Sequence, residues 1–185
     1  NTDFEFIENV QFSDEGIFKD DELFEFWFKL IPWEDIAIQE SELALILTEI
    51  IREKKAIIFN PAYTLMFQSK GFMKILWDLY PNHPLLLETS FEPLYGKKQV
   101  EKRCFGREGA NTKIINSDGS IDTQTVGSYE GHKAIYQEFV EFPKDSNGNY
   151  YQAGVFYSYE GAGLGFRRGG KILNNMSKFV GHIIK

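Results

Sequence analysis

A chain of 185 residues with 43% apolar and 16% aromatic side chains holds enough apolar surface for a packed core, which excludes global disorder. A formal net charge of −7 disfavours nucleic-acid binding, which needs a basic surface, and no apolar run reaches the roughly 18 residues of a membrane span. A single cysteine, Cys104, excludes an intrachain disulfide and points to a reducing, cytoplasmic compartment. The acidity lies mostly before residue 55, and the later chain is locally basic, which leaves room for a small-anion site. One domain, or two small lobes sharing a core, is expected.

In chain order, Phe4 to Val10 reads as a strand, Ser13-Asp14-Glu15-Gly16 as a turn, and Ile17-Phe18 as the return strand. Phe24 to Leu30 alternates, with Phe24, Phe26, Phe28 and Leu30 on one face and Glu25, Trp27 and Lys29 on the other. Pro32 ends it, and Trp33 to Ala37 opens a short helix. Ser41 caps a helix running to about Arg52, because Leu43, Ile46, Leu47, Ile50 and Ile51 recur at the spacing of one helical face. Ala56 to Phe59 is a short apolar strand closed by Asn60-Pro61. Ser69 caps a second helix, Lys70 to Leu79, stopped by PNHP. From residue 99 strands dominate: Thr112 to Asn116 and Ile121 to Val126 around Asp118-Gly119, then Ala134 to Phe142 and Tyr150 to Tyr159 around DSNGN. The segment 88–98 is the loosest stretch.

Several residues attract attention, each with a plain alternative. Lys70 sits in the first turn of its helix, where the macrodipole disfavours a cation; it is either a solvated lysine or the partner of a bound phosphate. Lys102 precedes CFGREGAN, a glycine-bearing connection longer than a hairpin turn requires. A strand lysine, a loop of backbone amides and a lysine at a helix start together suit a triphosphate, whose charge needs cations and close N–H groups. Neither the GxxxxGK[ST] phosphate loop nor the kinase HRD and DFG motifs occur. GAGLGFRRGG approaches GxGxxG, but no helix follows it, so dinucleotide binding is rejected; it reads either as a glycine-rich strand end carrying Arg167 to a ligand or as a flexible surface loop. His83, His132 and His182 are far apart, and with one cysteine a structural zinc site is not expected. Cys104 has Lys102, Arg103 and Arg107 nearby in sequence, yet a half-buried strand cysteine is the simpler reading.

The ordered blocks FWFKLIPWE, NPAYTLMFQSKGFMKILWDLYPNHPLLL, FGREGAN, AIYQEFV, AGLGFR and NNMSKFVGHII resemble the synthetase part of glutathionylspermidine synthase, most of all stand-alone relatives lacking the amidase half. The resemblance runs from about Phe6 to Lys185 and implies an α+β, ATP-grasp fold, mostly antiparallel sheets with flanking helices. On that footing residues 1–185 are the C-terminal ATP-grasp portion of a larger synthetase.

The resemblance also implies roles. Lys70 and Lys102 match ATP-binding lysines. Gly106, Arg107, Gly109, Ala110 and Asn111 fall in the flexible loop that covers the phosphates. Gln137, Glu138, Phe139 and Val140 match the hinge strand that receives adenine. Arg167 matches a catalytic arginine that stabilises the transferring phosphoryl group. Lys29 falls on a substrate-side lysine. The family's magnesium ligands, an Asp and then Glu-x-Asn, are expected upstream of Asn1, since Asp3 and Glu5 stand in a different setting. Arg168 occupies a position where relatives often carry glutamate.

The implied chemistry is ATP- and magnesium-dependent joining of a small carboxylate, glutathione or peptide-like, to a polyamine-like amine through an acyl phosphate, with no nucleic-acid or membrane partner. The chain alone, lacking the metal ligands, is expected to bind ATP weakly and catalyse nothing. Rival readings are a nucleotide-binding scaffold without catalysis and an aromatic-rich binding module with solvated lysines.

Overall fold

The computed structural model describes residues 7–183. The chain divides into two compact units, one ending at Gln68 and the other beginning at Ser69. Among the described residues no helix is long and apolar enough to cross a membrane. Helices and antiparallel sheets mix in an α+β arrangement, with one parallel strand pair.

In the N-terminal unit, β1 (Gln11–Ser13), β2 (Gly16–Lys19) and β3 (Glu22–Phe24) form an antiparallel meander. The strand expected over Phe4 to Val10 falls partly on residues outside those described, and Ile7–Asn9 is a turn of 3-10 helix instead. The first strand begins only at Gln11. Then β4 (Phe26–Phe28) pairs in parallel with β5 (Ile57–Phe59), and two helices, α1 (Trp33–Gln39) and α2 (Ser41–Arg52), make the crossover that parallel strands require. A short helix, α3 (Thr64–Gln68), follows.

The apolar stripe of α2 explains the core. Leu47 and Ile50 have no exposed surface and pack with Ile17, Trp33, Ile36, Ala56 and Ile58, while Leu43, Ala44 and Ile46 flank them. The alternation of Phe24 to Leu30 is real, and the face carrying Trp27 and Lys29 is the buried one. The chain bends at Glu25, and Trp27 and Lys29 turn inward, Lys29 to 3% exposure, whereas Phe26, Phe28 and Leu30 are 56–64% exposed. Trp27 packs against Phe12 in a tilted arrangement, with ring centroids 5.0 Å apart. Register decides this face: Trp27 lies opposite Ile58, which enters the core, so Phe26 and Phe28 share the other face with Ile57 and Phe59. A two-residue period names two faces, and only the pairing says which is buried.

The second unit opens with α4 (Gly71–Leu79) and holds two antiparallel sheets. Five strands, β6 (Thr89–Ser90), β7 (Gln99–Arg103), β8 (Lys113–Ile115), β9 (Ile121–Gln124) and β10 (Ala134–Glu138), run in the order β6-β10-β7-β8-β9. The strand expected to reach Phe142 stops at Glu138. Segment 88–98 is well tied down: the Gln99 amide accepts from Leu94 N–H at 2.8 Å and donates to Leu94 carbonyl at 3.1 Å.

The second sheet is β11 (Tyr150–Ser158), β12 (Glu160–Gly169) and β13 (Lys178–Val180). Of the two readings of GAGLGFRRGG, the strand is the one observed; β11 and β12 form a long hairpin turning at Tyr159, whose φ is 62°. Glycines at 161, 163 and 165 weaken a strand on its own, but pairing along nearly the whole of β11 overrides that propensity.

Candidate nucleotide-binding site

In the second unit a cavity of about 310 Å³, within the range of small-molecule sites, opens beside β7 and β10. Its position follows from strand alternation. Val100 and Lys102, two apart on β7, face it together, as do Tyr150 and Gln152 on β11. Apolar walls come from Leu87, Val100, Ile114 and Phe142, and the cations are Lys70, Lys102, Arg103, Arg107 and Lys171.

Lys102 is central. Its ammonium donates to Gln137 Oε1 at 2.8 Å. Burial, and after it the charge of Lys70, pushes its pKa down to about 8. The charge of Lys70 is therefore felt at Lys102. Lys70 precedes α4 and is lowered too, by burial above all, with Cys104 acting the other way. Its ammonium donates to the Gly106 carbonyl, and its backbone N–H to Cys104 carbonyl at 2.8 Å. Lys70 rather than Ser69 is the N-cap, since the helix starts at Gly71; the Ser69 hydroxyl still accepts from Gly71 N–H at 3.2 Å.

The loop 104–112 is held at many points. Gly106 N–H bonds Arg103 carbonyl at 3.1 Å, Ala110 N–H bonds Arg107 carbonyl at 2.8 Å, and Thr125 hydroxyl donates to Gly109 carbonyl. Gly109 has a φ of +69°, and a Cβ there would stand 2.3 Å from the Leu173 carbonyl oxygen. Only glycine lets the loop seat on the 171–173 segment. Gly109→Ala is expected to lower the melting temperature, the left-handed backbone alone costing about 1–2 kcal/mol; thermal melts of the two proteins check this.

Of the residues singled out in the sequence, Lys70, Lys102, Gly106, Arg107, Gly109, Ala110, Gln137, Glu138, Phe139 and Val140 all line this cavity. Asn111 and Arg167 do not. The Asn111 side chain accepts from Tyr129 N–H at 2.8 Å and so fixes the loop from behind. Arg167 donates to the carbonyls of Asn174 at 2.7 Å and Ser177 at 3.3 Å, and lies 5.4 Å over the Phe179 ring. Its cross-strand partner is Gln152, which does line the cavity. Lys29 belongs to the N-terminal unit, where its ammonium donates to Ile31 carbonyl and lies 4.4 Å over Trp33; burial lowers its pKa to about 8.

Sequence reasoning missed Gln152 and the 171–173 segment. Lys171 is bound to Asp122 on β9, as is Lys98 at 2.9 Å, and both ammoniums lie over the Phe139 ring at 5.6 and 4.7 Å. Asp122 is held down to about pKa 2, first by Lys171 and then by Lys98. A basic residue just after a strand was the one available signal for Lys171; its tie to Asp122, 49 positions away, was not readable. Among the described residues no three His, Cys, Asp or Glu side chains come together as a metal would need.

Strands of two antiparallel sheets contribute to a cation-rich, apolar-walled cavity of small-molecule size. The model of the family described as glutathionylspermidine synthase preATP-grasp matches residues 1–185, and the chain belongs to the glutathionylspermidine synthase family. It is 29% identical over 120 residues to the bifunctional glutathionylspermidine synthetase/amidase of Escherichia coli, covering 63% of this chain and 19% of that protein. It is 30% identical over 132 residues to a putative acid–amine ligase of Haemophilus influenzae, covering 66% of this chain and 32% of the relative. A trypanothione synthetase of Crithidia fasciculata is 26% identical over 91 residues, 48% of this chain and 14% of that protein. The chain thus spans about a fifth of the bifunctional relative and about a third of the acid–amine ligase.

Proposed function

We propose that this chain supplies the nucleotide pocket of an ATP-dependent carboxylate–amine ligase with an ATP-grasp arrangement. The observation that carries the reading is the convergence of Lys70, Lys102 and the glycine loop on one cavity, with the charge of Lys70 felt at Lys102. The names of the relatives, synthetases and an acid–amine ligase, support the class. On this reading residues 1–185 form the ATP-grasp portion, although the matching family is described as preATP-grasp.

The roles follow from the chemistry of each group. Lys70 and Lys102 neutralise phosphate charge in a partly enclosed site, where such contacts are worth most. The apolar walls take the base and exclude water. Phe139 N–H is spent on Lys98 carbonyl at 3.1 Å and Glu138 N–H on Glu88 carbonyl at 2.8 Å, so neither serves the base edge. Arg167 meets the transferring phosphoryl group only by leaving the Asn174 and Ser177 carbonyls. Lys29 reaches a substrate only by leaving Ile31 and the Trp33 ring. The carboxylate is activated as an acyl phosphate and the amine displaces phosphate; a glutathione-like acid and a polyamine-like amine are the substrate classes, with magnesium ligands supplied from outside the described residues.

The test uses the full-length protein. MgATP is expected to raise its melting temperature, and phosphate release is expected to require both a carboxylate and an amine. No thermal shift with any nucleotide overturns the reading. A shift without substrate-dependent phosphate release reduces it to nucleotide binding alone.

A further inference from the structure

Thr89, on the short strand β6, is 1% exposed and is not part of the cavity wall. Its hydroxyl has one proton to give. That proton goes to the Leu87 carbonyl, 3.0 Å away. The hydroxyl oxygen is then left to accept, and it accepts from Gln137 Nε2 at 3.1 Å. With its nitrogen so engaged, the Gln137 amide must turn its oxygen to Lys102, whose ammonium it meets at 2.8 Å. A reversed amide would set N–H groups against an ammonium and a carbonyl oxygen against a hydroxyl whose proton is already committed. Each link thus fixes the polarity of the next. Gln137, 8% exposed, has little room to escape the constraint.

We propose that Thr89 is a positioning residue for Lys102. Acting through the Gln137 amide, it holds the Lys102 ammonium in the one orientation that turns its remaining N–H groups to the cavity. What those N–H groups meet rests on the nucleotide reading above, whereas the relay itself does not. The other charged groups around Lys102 are Lys70 ahead of α4, Arg107 and Glu108 of the glycine loop, Glu138 of β10 and Lys171 after β12, all lining the cavity. Glu101 and Arg103 are its strand neighbours, paired with each other at 3.2 Å.

The test compares Thr89→Val, which keeps the shape and deletes the hydroxyl, with Thr89→Ser, which restores it, in the full-length protein. The first readout needs no nucleotide: the rate at which acetic anhydride labels Lys102, followed by mass spectrometry across pH. Thr89→Val is expected to move the titration of Lys102 to lower pH, because a freed amide no longer presents only its oxygen to the ammonium; Thr89→Ser is expected to return it. The second readout is MgATP affinity, expected to weaken roughly three- to tenfold in Thr89→Val, the worth of one hydrogen bond. A folded Thr89→Val protein with an unchanged Lys102 titration overturns the proposal. If that variant gives no cooperative melt, Gln137→Glu decides: a carboxylate there is expected to move the titration to higher pH, and no movement overturns the relay. A labelling shift in a protein that binds no MgATP upholds the relay and sinks the nucleotide reading; MgATP binding with unmoved labelling does the reverse.

Discussion

Replacement of Lys102 by methionine is expected to abolish the rise in melting temperature caused by MgATP while stabilising the nucleotide-free protein. Both parts come from one cause. A largely enclosed ammonium with a single hydrogen-bond partner and a second lysine nearby is unfavourable until an anion arrives. Its pKa, pushed down to about 8 by burial and by Lys70, says that folding favours the neutral form. The unfolded chain therefore binds the extra proton, and wild-type stability rises with pH between about 8 and the ordinary lysine value near 10.5. Methionine removes that pH dependence. It also removes a charge-assisted contact worth about 1.5–3 kcal/mol, roughly ten- to hundredfold in the dissociation constant. In the wild type, MgATP affinity is expected to fall as pH rises through about 8. Isothermal titration and thermal melts at several pH values check the pair. A merely structural lysine would lose stability on substitution and leave nucleotide affinity alone.

Ile50→Ala is expected to destabilise the N-terminal unit by about 2–5 kcal/mol, through lost burial and the cavity left behind. Ile50 has no exposed surface and packs in the cluster of Ile17, Trp33, Ile36, Leu47, Ala56 and Ile58. In a unit of this size each kcal/mol shifts the midpoint by roughly 4–8 °C, so the loss is easily read in a thermal melt. Its neighbour Ile51, 37% exposed, is the control: Ile51→Ala is expected to change stability by less than about 1 kcal/mol. Equal losses at both positions would contradict the assignment of the buried face of α2.

What was legible in the sequence was whatever local periodicity and punctuation specify. The apolar stripe of α2, the helix after Ser69 and the hairpin around Asp118-Gly119 were readable because their signals lie within a few residues of one another. The inward face of β4 was not, because it depends on a strand 31 positions away in register. The strand character of 160–169 was one of two open readings, because glycine propensity points to a loop and pairing with β11 outweighs it. In the pocket, Lys70 and Lys102 were legible as a cation at a helix start and a lysine before a glycine-bearing loop, and the hinge residues through ordered motifs that resemble a family. The 171–173 segment and the Thr89 relay were not, since each acts through a contact formed only by the folded chain.

The seat of Gly109 on the Leu173 carbonyl has a mechanical corollary. A flap resting against the main chain of a neighbouring segment does not swing by itself. Any opening that admits or frees a ligand must either lift residues 171–173 along with it or break the Thr125 and Tyr129 tethers first. Loop movement therefore either carries a second chain segment with it or waits on those tethers, and a side-chain change at Thr125, which does not line the cavity, would retime it.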